Sequence, residues 1–180
     1  MTQIHKVFVS YHHANDQHYR NIFETLFSGY YNILISKSVQ IGDIDPYLKT
    51  DTVRQKIRDE YLRDSTVTVV LIGTETWKRK HIDWEISSSI RQTQYSSRSG
   101  LFGILLPSHP SYGKETYDPG IVPPRLYDNQ VCGYAKIYSW SNDPTTVQNW
   151  IHQAYLDRSK LTPDNSYSHF VNNKSGERWK

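Results

Sequence analysis

Between Thr74 and Ile86 the chain reads TETWKRKHIDWEI, a polar run passing into isoleucines at positions 82, 86 and 90. On a helix those isoleucines form one buried stripe, and Glu85, one position before Ile86, falls on its flank near the helix start. From that flank its carboxylate can reach the groove at the carboxyl ends of the strands. The plain alternative is a solvated glutamate favoured by the helix dipole, and spacing alone favours that alternative.

Other chemistries find less support. There is no G-x-x-x-x-G-K-[ST] loop, G-x-G-x-x-G fingerprint, G-x-S-x-G elbow or H-E-x-x-H, which removes the commonest ATPase, Rossmann, hydrolase and zincin readings. The eight histidines are scattered, and the one cluster, His12-His13 with Asp16, reads as loop and capping residues, so no metal is expected. The single cysteine, Cys132, reads as a packed thiol and suits a reducing compartment. Lys78-Arg79-Lys80 reads as a solvated loop. Trp77 and Trp84 are either packing residues or platforms for a planar ring. With 21 basic and 18 acidic residues interspersed and a formal charge of +3, the chain lacks the segregated basic face of a nucleic-acid binder, while a small anionic ligand is compatible.

These candidates need elements to position them. Strand and helix signals alternate, the pattern of an α/β domain with a parallel sheet. Lys6 to Tyr11 (KVFVSY) predicts a buried strand. Asn15 or Asp16 offers a cap to a helix carrying Tyr19, Ile22, Phe23, Leu26 and Phe27. Tyr31 to Ile35 predicts a second strand, and residues 36–50, with Gly42 and Pro46, a long loop of the kind that carries function. Asp51 offers a cap to a helix through Leu62 with Val53, Ile57 and Tyr61 on one face. Thr66 to Gly73 (TVTVVLIG) has the strongest strand signal, apolar on both faces as at the centre of a parallel sheet. Leu101 to Leu106 and Ala135 to Trp140 supply two more strands, and Asp143-Pro144 starts a helix with Val147, Trp150, Ile151, Ala154 and Tyr155 on one side. The Pro-, Gly- and Tyr-rich segment from Pro107 to Asp128 lacks a period and reads as a surface excursion.

Five strands and about four helices in this order predict a flavodoxin-like three-layer fold with one parallel sheet of order 2-1-3-4-5. The expected domain is 1–158, with 159–180 a polar extension packed on it or loosely attached. Ligands in such sheets bind beyond the carboxyl ends of the strands, so the loops after Tyr11, Ile35 and Gly73 should line any site. With no signal-peptide pattern and no apolar stretch long enough for a bilayer, a soluble cytoplasmic protein with no membrane partner is the expectation.

Two segments carry a family resemblance. Val7-Phe8-Val9-Ser10-Tyr11 resembles the first motif of TIR domains. Leu71-Ile72-Gly73-Thr74 through Trp84-Glu85-Ile86 is similar to the strand, loop and W-E-I helix of a divergent TIR-like branch, in particular the TIR-like signalling subunit of the bacterial Thoeris anti-phage system. The likeness spans about Lys6 to Tyr155 as architecture and these two segments as motif. The chain departs from better-known TIR domains in lacking an Arg-Asp or Pro-Gly signature after the second strand, in lacking a Phe-Trp motif near the last helix, and in carrying His81 where a tryptophan usually precedes the glutamate by four residues.

The resemblance implies an enzyme that cleaves the nicotinamide–ribose bond of NAD⁺, taken as substrate with no bound prosthetic group, and cyclises the ADP-ribose into a signal. Glu85 matches the catalytic glutamate. Phe8, Ser10 and the loop around Ser36 and Lys37 match the regions that surround substrate, Tyr11 would shape the pocket entrance, and Trp84 would stack on a ring. The implied partners are NAD⁺, an effector protein reached through a diffusible cyclic nucleotide, and a phage trigger, with room for a homo-oligomer. Two other readings stand beside this one: a non-catalytic TIR-like interaction and assembly module, and a nucleoside deoxyribosyltransferase-like enzyme using a similarly placed glutamate.

Overall fold

The computed structural model describes residues 3–38 and 47–180, so Gly42 and Pro46 of the expected long loop lie outside the described residues. β1 (His5–Ser10), β2 (Leu34–Lys37), β3 (Val67–Ile72), β4 (Gly100–Leu105) and β5 (Ala135–Ser139) form one parallel sheet in the predicted order β2-β1-β3-β4-β5. All of β3 and β4 is buried, as expected of β-branched and apolar runs covered on both faces.

Strand alternation sorts side chains between the two faces. Val7, Val9, Tyr11, Val67, Val69 and Leu71 pack with Phe23 and Phe27, and with Val147 and Ile151 of α5 (Pro144–Lys160). On the opposite face Val70 and Ile72 meet Ile82 and Ile86 of α3 (Lys80–Ser89) and Leu126 of α4 (Pro124–Val131). Beside them Phe8 packs with Val53 of α2 (Thr50–Lys56), and with Ile57, Leu62 and Trp84. The backbone of α5 passes so close to the start of β4 that a Cβ on Gly100 would lie 2.0 Å from the Ala154 carbonyl oxygen.

Several boundaries differ from the sequence expectation for identifiable reasons. α1 (His13–Phe23) starts before Asn15 and Asp16; Asp16 points inward and caps nothing. The helix widens after Phe23 into π-type turns through Tyr30, with the Tyr31 N–H donating to Leu26 O at 2.8 Å. Tyr31 therefore ends the helix instead of starting a strand. Asn32, at φ 51°, turns the chain into β2, which starts at Leu34 and includes Ser36 and Lys37. Asp51 sits in the first turn of α2 and does not cap it, and the helix continues as π-type turns from Ile57 to Leu62. The supposed surface excursion holds a 3₁₀ turn (Pro119–Ile121) and α4, begun by Pro124 and burying Arg125, Leu126 and Asn129. The cap on α5 forms as expected: Asp143 accepts from the Thr146 N–H at 2.7 Å.

Beyond Lys160 the chain forms neither helix nor strand, yet buried polar groups hold it down. Arg125 is fully buried and grips Asp83 of α3 through Nε to Oδ1 at 2.8 Å and Nη2 to Oδ2 at 3.3 Å. Its remaining N–H groups donate to Asn165 Oδ1 at 2.8 Å and Tyr167 O at 2.7 Å, while the Phe170 N–H donates to Asp83 Oδ2 at 3.0 Å. A buried charge pair of this kind is costly to break, because the surviving partner stays buried without its counter-ion. Arg125→Ala should lose about 3–5 kcal/mol in urea unfolding and expose the segment after Lys160 to protease. By contrast Lys136→Ala, on exposed surface of β5, should stay within about 0.5 kcal/mol of wild type.

Candidate functional site

Ser10 closes β1 and shares a face with Phe8, because side chains two apart on a strand point the same way. That face is covered by α3. Its isoleucine stripe seats on Val70 and Ile72, its Trp84 seats against Phe8, and Glu85 comes down between the two clusters. The Ser10 hydroxyl donates to Glu85 Oε2. Both residues are buried, with Ser10 1% and Glu85 3% exposed, which excludes the solvated-glutamate alternative.

The electrostatics of Glu85 follow from what faces it. Burial removes water from the carboxylate and pushes its pKa up to about 8, against which the Ser10 hydroxyl acts by favouring the anion. Among the described residues no cation pairs with it. Asp83, two positions earlier on the same helix, is instead neutralised by Arg125. Of the two buried carboxyls on this helix, Glu85 is the one without a counter-ion among the described residues, and its raised pKa poises it to exchange a proton.

A third buried carboxyl, the second with a raised pKa, lies at the switch point between β1 and β3. Asp16 is pushed up to about 6 by burial, opposed by its hydrogen bond from Thr76 Oγ1 at 3.4 Å. Thr76 Oγ1 also accepts from the Gly73 N–H at 2.8 Å. A Cβ on Gly73 would meet the Asp16 carboxyl at 2.3 Å, so glycine at the end of β3 is what lets Asp16 approach. The glycine was the available signal for this contact; the inward turn of Asp16 left no mark in the sequence. Around the same end of the sheet Arg79 and Lys80 lie near His12, His13 and His81, and His81 is held down to about 4 by burial and then by Arg79. His12 is held below the ordinary imidazole range by burial and then by Arg79, and its Nδ1, like the Arg79 Nε, is buried with no hydrogen-bond partner among the described residues.

The remaining candidates fall in different places. Phe8, Trp77 and Trp84 are buried, and the Trp84 Nε1–H donates to Phe170 O at 2.9 Å. Tyr11 points to the opposite face from Ser10, with its hydroxyl donating to Gln17 Oε1 at 2.8 Å and its ring against His13. Ser36 and Lys37, expected in a loop, lie in β2; Ser36 donates to Glu24 at 2.5 Å and Lys37 pairs with Asp64 at 3.3 Å. The structure thus joins Ser10 to Glu85 and engages Ser36 and Lys37 elsewhere. Among the described residues no group of three His, Cys, Asp or Glu side chains is arranged to hold a metal, and no helix is long and apolar enough to cross a membrane.

The raised pKa of Glu85 has a stability consequence. Between about pH 4.5 and about 8 the folded chain holds a proton that the unfolded chain has released, so stability falls as pH rises through that window. Glu85→Gln removes the linkage. It should unfold with a flatter pH dependence and, at pH 8, be more stable than wild type by roughly 1–3 kcal/mol in thermal melts. A variant less stable than wild type at pH 8 would contradict the burial of an unpaired carboxyl.

A family model described as the TIR-like domain of Thoeris protein ThsB matches residues 8–111, more than half of the chain and the stretch from β1 through β4 that contains Ser10 and Glu85. No curated protein matches the sequence. The motifs at Ser10 and Glu85, the 2-1-3-4-5 sheet and the family match agree: this chain belongs to the Thoeris ThsB TIR-like domain family.

Proposed function

We propose that this TIR-like domain is an anti-phage signalling enzyme that cleaves the nicotinamide–ribose bond of NAD⁺ and cyclises the ADP-ribose into a second messenger activating a partner effector. The observation that carries the reading is Glu85: buried, without a counter-ion among the described residues, and hydrogen-bonded by Ser10 at the carboxyl end of β1. Cleavage breaks the C–N bond heterolytically; the electron pair leaves with nicotinamide, whose ring loses its positive charge, and the ribose carbon becomes oxocarbenium-like. A carboxylate held beside that carbon stabilises charge that exists only near the transition state. Attack on the cation by a nucleophile within the ADP-ribose closes the ring, and the proton that nucleophile loses passes to the Glu85 carboxylate or to water. The bound pyridinium also favours the ionised form of Glu85, so substrate itself helps supply the reactive carboxylate. Arg79, with its buried and unpartnered Nε, supplies positive potential at the same end of the sheet for the pyrophosphate, and the unpartnered His12 Nδ1 offers a hydrogen-bonding position beside it.

The burial of Glu85 supports a second reading, in which the domain works by self-association and does no chemistry. On the enzymatic reading, catalysis requires the site to open first, which fits a domain held quiet until triggered.

NAD⁺ consumption and product mass in bacteria expressing the chain, with and without phage challenge, separate these readings. Wild type should release nicotinamide and a cyclic ADP-ribose species, and Glu85→Gln should lose at least about 100-fold in rate. A challenged wild type that matches Glu85→Gln would replace the enzyme by the interaction module. In the active protein kcat/KM should rise with pH towards a plateau above about 8, and Ser10→Ala should move the inflection higher, since it removes the bond that favours the anion.

A further inference from the structure

Away from the Ser10–Glu85 contact, a cavity of about 450 Å³ opens between α2, the end of α3 and the C-terminal segment. Arg54 and Arg58, one turn apart on α2 and its continuation, face Arg91, just past the end of α3, across it, and Ser87 and His169 line the wall between them. One carboxylate, Asp51, lines the same space and pairs with Arg54. Arg58 pairs with Asp59, which does not line the cavity, and Arg91 has no ion-pair partner among the described residues. Counted with both carboxylate partners the three guanidinium groups keep one net positive charge, carried by Arg91, and Arg54 and Arg58 present further donors to the same space. The space is of the size that small-molecule sites occupy, and guanidinium forks match phosphate oxygens two at a time.

We propose that this cavity binds a small diphosphate-bearing ligand, held by Arg54, Arg58 and Arg91. The proposal does not depend on NAD⁺ cleavage. A ligand there would clamp together α2, the helix that carries Glu85, and the segment whose Phe170 backbone bonds both Trp84 and Asp83. Occupancy would therefore stiffen the support of the candidate catalytic helix from outside the catalytic site, and any coupling between the two sites would run equally in both directions.

Calorimetry and thermal melts of the full chain with pyrophosphate and with ADP test this. Either probe should raise Tm and bind with low-millimolar or tighter affinity. Arg91→Ala and Arg58→Ala, both at surface-accessible positions, should weaken binding about 10-fold or more while leaving the ligand-free Tm near wild type, and Arg91→Lys should recover only part of the loss. Glu85→Gln should bind as wild type does, which separates this cavity from the catalytic site. Tighter binding of ADP than pyrophosphate would show that the nucleoside is also recognised. Absence of a Tm shift and of heat with both probes, equal binding by Arg91→Ala, or saturation by a short oligonucleotide in place of either probe would overturn the proposal.

Discussion

Folding takes two carboxyl groups on α3 out of water, two positions apart, and gives a counter-ion to only one of them. Asp83 receives a bidentate arginine, and through Arg125 it also fastens α4 and the C-terminal segment to the helix. Glu85 receives a hydroxyl. The first arrangement fixes where the helix lies; the second leaves a group that burial holds protonated past neutral pH. Much of the remaining architecture serves that contrast. The isoleucine stripe seats the helix on β3 and β4, Trp84 locks its other side against Phe8, and β1 ends with Ser10 beneath Glu85.

An unpaired buried carboxyl reduces stability, and a chain selected for stability alone would replace it with an apolar residue or a glutamine. Its presence where two strands of a doubly wound sheet part, at the end of the sheet where burial also raises Asp16 and where, among the described residues, the Arg79 Nε is left unpartnered, is the distribution expected of a binding or catalytic centre. The family match gives this geometry its biological setting, anti-phage signalling by a TIR-like domain.

How much of this was legible in the sequence differs from element to element. β3 and the isoleucines of α3 announce themselves because apolar burial imposes a period, and the Asp143-Pro144 start of α5 because capping needs particular side chains. α4 was hidden among prolines, glycines and tyrosines, although Pro124 occupies the first helical turn, where proline is itself a start signal. β2 was misplaced because a helix that widens into π-type turns keeps its apolar residues past the point where an ordinary helix would end. The grip of Arg125 on Asp83 joins residues 42 positions apart and has no local signature. Glu85 could be named from its motif, but its burial and its bond to Ser10 depend on which face of β1 the helix covers, which only the assembled sheet decides.

The central claim is that Glu85 is a desolvated carboxyl that keeps its proton up to and beyond neutral pH. A carbon-13 NMR titration of side-chain carboxyls in protein labelled at glutamate, with the Glu85 signal assigned by its loss in Glu85→Gln, measures that directly. The account predicts that this signal titrates with a midpoint near 8. A Glu85 signal that titrates near the ordinary glutamate value of 4.5 would contradict it.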